Sequence, residues 1–236
     1  MAAAHPKHRR SHRRRNILVL DIGGTHVKMR LGTGSKRRQF KSDPKLGAGE
    51  MVAKVKEHTE DWNYDVVSIG YPGPVAGNRP VAEPHNLGKG WAGFDFAKAF
   101  ERPVKVVNDA VLQALGDYQG DRMLFLGLGT GLGSAMIIDG VIAPMELAHL
   151  PYRKGKTFEH YLGDDGLKRS GLKKWRAHVA DVAEKLRAAL QPDYIVMGGG
   201  NARKLKTLPP HTFRAGNDKA FLGGIRLWER PASHDR

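Results

Sequence analysis

Two stretches of this sequence share one plan: a run of strand-forming residues, a glycine turn with a threonine, and a returning strand. The first is "NILVLDIGGTHVKMRL", residues 16–31, and the second is "MLFLGLGTGLGSAMII", residues 123–138. Glycine lets the backbone turn sharply and leaves no Cβ above the turn, so a ligand can approach the amides. The same device, used twice about a hundred residues apart, predicts two lobes of related design.

Strand and helix patterns alternate along the rest of the chain, which predicts an α/β architecture. The longest helical pattern is "SGLKKWRAHVADVAEKLRAAL", which places Leu172, Trp175 and Val179 on one face and has Ser170 as its predicted N-cap. The segment "NARKLK", which follows the glycines of "GGGN", predicts one more helix. We divide the chain into a disordered basic tail (1–15), an N-terminal α/β lobe (16–107) and a C-terminal α/β lobe (108–236).

Composition excludes several classes of protein. The chain has no cysteine, which excludes disulfides, thiolate zinc sites and cysteine nucleophiles. Hydrophobic residues make up 40% of the sequence, yet no run approaches the roughly 18 apolar residues of a membrane span. The apolar run "ILVL" is too short for the core of a signal peptide. We therefore expect a cytoplasmic globular protein with no membrane partner.

The formal net charge is +15, and six of the excess positive charges lie in residues 1–15, which contain no acid. Nine remain for residues 16–236. A basic tail of this kind is either a solvated solubility segment or an attraction site for a polyanion such as nucleic acid or polyphosphate. The sequence leaves both interpretations open.

Two common phosphate-binding motifs do not fit. "GLGTGLG", residues 127–133, has Leu132 where the dinucleotide motif needs its third glycine, and it leads into a strand. "GKT", residues 155–157, resembles the end of a P-loop, but Leu150 stands at the position of the required upstream glycine.

Four short motifs remain, "DIGGT", "VNDA", "GTGLG" and "GGGN". The two glycine turns offer backbone amides and a threonine hydroxyl to phosphate oxygens. Asp21, at the end of a strand, could hold Mg²⁺ directly or through water. Asp109 lies at a strand-to-helix junction, where Asn108 or Asp109 is the predicted N-cap of the helix. A carboxylate at this position can accept the proton of a substrate hydroxyl. Each motif alone is more simply a turn or a helix cap, and the combination is what points to phosphoryl transfer.

These motifs in this arrangement resemble the two-lobed actin-like, hexokinase-type (ribonuclease H-like) ATPase fold with a central cleft. They are more closely similar to the ROK family of sugar kinases, over nearly the whole chain after residue 16. "GYPGPV" and "NLGKGW" match further family segments, and "ELAHL" resembles the family's sugar-binding E-x-G-H segment. "GTGLGSA", "ELAHL" and "FEHY" look most like the polyphosphate glucokinase branch.

The resemblance implies a set of site residues. It makes Asp109 the catalytic base. The residues implied for the phosphoryl donor are Asp21, Gly23, Gly24, Thr25, Gly129, Thr130, Gly131, Gly133, Gly199 and Gly200. The residues implied for the sugar are Asn86, Asn108, Asp109, Glu146, His149 and Glu159.

The resemblance also implies Mg²⁺ at Asp21, with ATP, polyphosphate or both as donor. The family's cysteine-rich zinc motif is missing, so we expect no zinc and a sugar-binding role for His149. Ala148 stands where the family has glycine, and Asn201 replaces an expected hydrophobic residue in the third glycine segment.

The function expected from the sequence is phosphoryl transfer to the C6 hydroxyl of glucose. Alternatives are a kinase for another hexose such as mannose with ATP only, and a non-catalytic, sugar-responsive regulator. The family's repressors carry a winged-helix domain before the first glycine turn, where this sequence has fifteen residues, so we expect no nucleic-acid partner. The oligomeric state stays open, a homodimer included.

Overall fold

The computed structural model describes residues 15–34, 36–216 and 218–229. The prediction of a disordered tail concerns residues that lie, except for Arg15, outside this part of the chain.

Two five-stranded sheets with the same strand order organise the protein. In each sheet an antiparallel meander of three strands is extended by two parallel strands. The first sheet has the order β3-β2-β1-β4-β7 and consists of β1 (Ile17–Ile22), β2 (His26–Leu31), β3 (Arg37–Lys41), β4 (Val66–Tyr71) and β7 (Val104–Asn108). The second has the order β10-β9-β8-β11-β12 and consists of β8 (Arg122–Leu128), β9 (Leu132–Ile138), β10 (Val141–Met145), β11 (Tyr194–Gly198) and β12 (Thr212–Arg214). Between them in sequence lies a small hairpin of β5 (Val75–Ala76) and β6 (Arg79–Pro80).

The burial of the strands follows from their position in the sheet. The interior strand β4 is buried at every residue, as expected when helices cover both faces of its sheet. The edge strand β3 instead alternates exposed and half-buried residues, since only one of its faces packs on the core.

Among the described residues, six α-helices pack on the sheets. They are α1 (Ala48–His58), α2 (Phe96–Phe100), α3 (Asp109–Asp117), α4 (Phe158–Leu162), α5 (Asp164–Leu190) and α6 (Lys219–Arg226). α1 buries Met51, Val52 and Val55 in the first core, and α5 buries Trp175 and Val179 in the second. In the described part of the chain, no helix has both the length and the apolar character needed to cross a membrane.

The C-terminal helix α6 returns to the first sheet, although the second sheet precedes it in sequence. It packs along α3 and against β1 and β4, where Ala220 and Phe221 share a core with Val19 and Leu112. The Ser68 hydroxyl of β4 donates a hydrogen bond of 2.6 Å to the Gly224 carbonyl. The chain therefore crosses between the two sheets again near its end. The division into lobes at residues 107 and 108 stays a prediction.

One helix prediction is confirmed apart from its cap, and another is wrong. The helix predicted after Ser170 is present up to Leu190 as the second part of α5, which begins earlier, at Asp164, but the Ser170 hydroxyl donates to the Gly166 carbonyl instead of capping a helix. Gly171 interrupts α5 with φ 73°, a left-handed value that suits glycine, and Leu172 next to it is 41% exposed. The segment "NARKLK" forms only a short 3-10 turn at residues 202–204.

Candidate active site

The first glycine loop, residues 23–25, joins β1 to β2 and is held by its own neighbours. The Gly23 amide donates to the His26 carbonyl at 3.0 Å, and the Gly23 carbonyl accepts from the Ser42 hydroxyl at 2.7 Å. The Ser42 amide donates to the Thr25 carbonyl at 3.0 Å. These bonds leave the exposed Gly24 at the tip of the loop, where its backbone is accessible.

Asn86 lies directly against this loop, because a Cβ on Gly24 would be 3.2 Å from the Asn86 Cβ. Glu83 holds the segment that carries Asn86. Its carboxylate accepts hydrogen bonds from the three backbone amides of residues 90–92, and these bonds hold the pKa of Glu83 below its usual value. Sequence reasoning missed Glu83, since an acid in a polar stretch carries no signal of its distant partners.

Asp21 and Asp109 stand on neighbouring parts of the first sheet. Asp21 lies in β1 next to Gly70 of β4, and its carboxylate is 3.5 Å from the Lys28 ammonium. A Cβ on Gly70 would be 3.5 Å from the Asp109 Cα and 2.7 Å from the Leu112 side chain. The bare backbone of Gly70 thus lets the beginning of α3 approach the sheet, one strand away from Asp21.

Asn108 fixes the beginning of α3 and therefore the position of Asp109. Its side-chain oxygen accepts from the Ala110 amide at 2.8 Å, which confirms the predicted cap. Its side-chain amide donates to the Gly73 carbonyl at 3.1 Å. The same Ala110 amide also donates to the Asp109 carboxylate at 2.8 Å.

Burial, together with the negative charges of Asp21 and Glu146, raises the pKa of Asp109 to about 7. The Ala110 hydrogen bond acts in the opposite direction, but burial and the charge of Asp21 each have a larger effect on the pKa. Asp109 is thus a carboxylate with the proton affinity of a general base that works near neutral pH. The effect of Glu146 also means that a residue following the second sheet's meander lies within electrostatic range of Asp109.

The second glycine loop, residues 129–131, joins β8 to β9 and is covered by the junction of α4 and α5. The Thr130 carbonyl accepts from the Asp164 amide at 3.1 Å. A Cβ on Gly131 would collide with the Glu159 carboxylate. Glu159 therefore lies on this loop. The neighbouring Gly133 belongs to β9, where a Cβ would be 2.9 Å from the Ala110 Cβ, so it serves the packing of β9 on α3.

The third glycine segment, Gly199 and Gly200, is fastened to the second loop by Asn201. The buried Asn201 side chain donates to the Asp164 carboxylate at 2.6 Å and to the Gly129 carbonyl at 3.3 Å, and its amide donates to Leu128 at 2.9 Å. Gly199 has φ 80°. Asn201, which looked like a departure from the family pattern, is thus the residue that joins the two loops.

Glu146 and His149 lie on a short 3-10 turn after β10, with 4.0 Å between carboxylate and imidazole. Both side chains are largely exposed, at 58% and 71%. The buried Ser134 hydroxyl positions this turn, since it donates to the Met145 carbonyl at 2.8 Å and accepts from the Leu147 amide at 3.1 Å. Ser134 is the serine of "GTGLGSA", and its contribution was not recognised from the sequence.

The structure therefore forms three neighbourhoods from the residues singled out in the sequence. Asn86 meets the first glycine loop, Asp109 lies within the field of Asp21 and Glu146, and Glu159 meets the second loop. Within residues 15–34, 36–216 and 218–229, no three His, Cys, Asp or Glu side chains group closely enough to hold a metal ion by themselves. Asp21 alone still suits Mg²⁺, which takes one or two carboxylates and completes its shell with phosphate and water oxygens.

Comparison with known proteins places this site in a family. The model of the ROK family matches residues 17–144, more than half of the chain. The chain belongs to the ROK family. The match includes the first two glycine loops and Asp109, and it ends before Glu146, His149 and Glu159.

Curated relatives of this ROK protein include a glucokinase of Pyrobaculum calidifontis, 33% identical over 53% of this chain and 44% of that protein. A polyphosphate glucokinase of Mycobacterium tuberculosis is 29% identical over 58% of this chain and 57% of that protein. The matches thus span about half the length of these relatives.

The fold is that of solved ROK structures. The inorganic polyphosphate/ATP-glucomannokinase of Arthrobacter sp. strain KM has a TM-score of 0.76 at 21% identity, over 90% of this chain and 98% of that one. The two-lobed, hexokinase-type α/β fold expected from the motifs is thereby confirmed, as is the family.

Proposed function

We propose that this ROK protein is a sugar kinase that transfers the terminal phosphoryl group of polyphosphate or ATP to the C6 hydroxyl of glucose. The observation that carries the proposal is Asp109, a carboxylate with a pKa of about 7 that lies in the field of Asp21 and Glu146. The names of the relatives support the same reaction class.

Asp109 is the general base. The C6 oxygen attacks the terminal phosphorus, the bond from that phosphorus to the bridging oxygen of the donor breaks, and the hydroxyl proton passes to Asp109. A base with a pKa close to the working pH combines a large deprotonated fraction with sufficient proton affinity. The cap at Asn108 keeps the carboxylate at a fixed position at the start of α3.

The glycine loops bind the donor. Backbone amides of Gly24, Thr25, Thr130 and Gly131 and the two threonine hydroxyls reach the phosphate oxygens from two sides, while the Gly23 and Gly129 amides bond within their own loops. Gly199 and Gly200 bound the donor pocket. Asp21 would hold Mg²⁺ through water, and the ion would neutralise charge on the transferring phosphoryl group. Phosphoryl transfer depends mainly on positioning and charge stabilisation, which these elements provide.

The sugar lies between Asn86, Glu146, His149 and Glu159. Asn108 also contributes, because its oxygen and one amide hydrogen have protein partners and its second amide hydrogen remains available. Each of these groups orients a ring hydroxyl, so that the C6 hydroxyl faces Asp109.

The nine excess positive charges of residues 16–236 favour a polyanionic donor. A long polyphosphate chain releases counterions along every basic contact, so its binding weakens steeply as salt rises. ATP carries few charges and should respond less. Residues 1–15 can be removed to separate the contribution of the basic tail from that of the pocket.

Steady-state formation of glucose 6-phosphate, with ATP and with long-chain polyphosphate at two ionic strengths, tests the proposal. We expect product from polyphosphate at low salt, with a KM that rises more steeply with salt than the KM for ATP. Product from ATP alone would restrict the protein to ATP, and faster turnover of mannose would change the sugar. Glucose binding without product from either donor would identify a sugar-responsive regulator instead.

A further inference from the structure

One loop joins the two groups of sugar-binding residues, and the loop has few backbone contacts outside itself. It comprises residues 150–158 and connects the turn of Glu146 and His149 to the helix of Glu159. The Tyr152 amide donates to the Lys156 carbonyl at 2.8 Å, and the Phe158 amide donates to Leu150 at 3.0 Å. A single isolated bridge pairs Pro151 with Thr157, so the loop is closed on itself without joining a sheet.

Side chains fasten this loop to α5. The Tyr152 hydroxyl donates to the Asp181 carboxylate at 2.6 Å and lies 3.2 Å from the His178 Nδ1. Arg153 donates to the same Asp181 oxygen at 3.2 Å, and its guanidinium lies 4.9 Å from the centre of the Tyr152 ring. We call Tyr152, Arg153, His178 and Asp181 the loop latch.

The latch has a defined protonation state near neutral pH. Burial, together with Asp181, raises the pKa of Tyr152 to about 12, and the hydrogen bond from Tyr152 lowers the pKa of Asp181. Tyr152 is therefore a neutral donor and Asp181 an ionised acceptor. A hydrogen bond from a hydroxyl to a carboxylate is about twice as strong as one between neutral groups.

The helix that receives the latch is itself firmly held. Trp175 and Val179 of α5 are buried in the second core, and the Trp175 indole donates to the Leu162 carbonyl of α4 at 2.9 Å. On the loop side, the Tyr152 ring packs edge-on against Phe158, at 5.5 Å between ring centres, and against Tyr161, at 5.0 Å. The latch thus fixes the position of the loop relative to the second core. The two groups of sugar-binding residues at the ends of the loop are fixed with it.

We propose that Tyr152 and Asp181 are positioning residues for sugar binding: their hydrogen bond sets the spacing between the pair Glu146 and His149 and the more distant Glu159. This inference rests on the proposed sugar kinase function. Tyr152 and Asp181 take no part in proton transfer or donor binding, so their loss acts on the sugar and not on the phosphoryl donor.

The test compares Tyr152→Phe and Asp181→Asn with the matched control Tyr194→Phe. The Tyr194 hydroxyl also makes two hydrogen bonds, to the Gln119 amide at 3.0 Å and the Gly120 carbonyl at 3.1 Å, but it lies at the other end of the second sheet. Tyr152→Phe keeps the packed ring. We expect it to raise the KM for glucose about tenfold, with kcat and the KM for the donor within about twofold of the parent. Asp181→Asn should do the same, and the double variant should add little because one bond is lost in each case.

Tyr194→Phe should lower the melting temperature without changing the KM for glucose.

Amide hydrogen exchange supplies a measurement that does not need turnover: residues 150–158 should exchange faster in Tyr152→Phe and at the parental rate in Tyr194→Phe. An active parent whose KM for glucose changes equally in the two tyrosine variants would overturn the latch. Unchanged exchange in the loop of Tyr152→Phe would overturn it as well. A folded parent that makes no phosphorylated sugar would instead overturn the proposed function, and the latch's role in sugar binding with it.

Discussion

The two glycine loops lie at the same place in two sheets of identical strand order. The residues just before the loops differ, because one sheet carries charged side chains there and the other carries only glycines. In the first sheet, one rung of the ladder carries Lys28, Asp21 and Gly70 side by side. The corresponding rung of the second sheet consists of three glycines, Gly133, Gly127 and Gly198.

The surroundings explain this difference. A Cβ on Gly133 would be 2.9 Å from Ala110, and one on Gly198 would be 2.5 Å from the Phe125 ring. The second rung is thus bare because its neighbours fill the space, while the first rung leaves room for a charged pair. A shared framework therefore places a charged pair at this rung of the first sheet and close packing at the corresponding rung of the second.

Removing the charge of the first rung should have the largest effect. We expect Asp21→Asn to lower kcat about 100-fold or more, because the metal and the phosphoryl group lose their carboxylate. It should also move the rise of kcat/KM to lower pH, since the charge of Asp21 raises the pKa of Asp109. Asp139→Asn, in a turn with φ 50° that asparagine accepts, is the matched control and should be neutral in both measurements. If Asp21→Asn kept its activity, the charged rung of the first sheet would have no catalytic role that the glycine rung lacks.

The turn of Glu146 and His149, which follows β10 of the second sheet, should influence the sugar more than the donor. Glu146→Ala and His149→Ala should each raise the KM for glucose roughly 5- to 150-fold, the equivalent of about 1 to 3 kcal/mol for an unpaired ring hydroxyl. Steady-state kinetics with each substrate varied in turn separates the two constants. A larger change in the KM for the donor would show that this turn belongs to the donor side of the site and not to the sugar side.

Two neighbouring glycines of the second loop sharpen the comparison further. A Cβ on Gly131 meets the Glu159 carboxylate, whereas a Cβ on Gly129 has no atom within 4 Å. We expect Gly131→Ala to displace Glu159 and raise the KM for glucose about fivefold. Gly129→Ala should leave the KM for glucose unchanged, although both glycines belong to the loop that binds the donor. Equal glucose KM values in the two variants would argue against a sugar-binding role for Glu159.

A separate effect of Asp109 concerns the stability of the first sheet's site and not its activity. Asp109 has a pKa of about 7 in the folded protein and an ordinary value of 3.8, so the folded state binds its proton more tightly. The ionised carboxylate therefore destabilises the fold above about pH 7, and the neutral amide of Asp109→Asn should stabilise it by up to about 4 kcal/mol at pH 8. The gain should shrink as pH falls from 7 towards 4. Thermal unfolding of both proteins across this range measures it, and a variant less stable than the parent at pH 8 would contradict the raised pKa.

Local patterns predicted much of this fold. Both glycine turns, the buried strands before them and the Asn108 cap follow from residues close together in sequence. The part of α5 after Gly171 was predicted from its apolar face, while the part from Asp164 to Ser170 was not, because it lacks such a face. Periodicity does not report a helix turn that lacks such a face.

What the sequence could not reveal are contacts between distant residues. Tyr152 and Asp181 are 29 positions apart, and Asn201 joins its loop to Asp164 across 37. The packing of Phe221 beside Val19 depends on α6 crossing back to the first sheet. Each of these pairs has an ordinary local sequence, and only the folded topology brings the partners together.

Product formation by the parent and by Asp109→Asn tests the central claim most directly. The rate of glucose 6-phosphate formation should be measured with saturating donor, alongside glucose binding by calorimetry. We predict that the parent forms product and that Asp109→Asn binds glucose with similar affinity but turns over at least about 1,000-fold more slowly, since the amide cannot accept the proton. Turnover of the variant within tenfold of the parent would contradict the account.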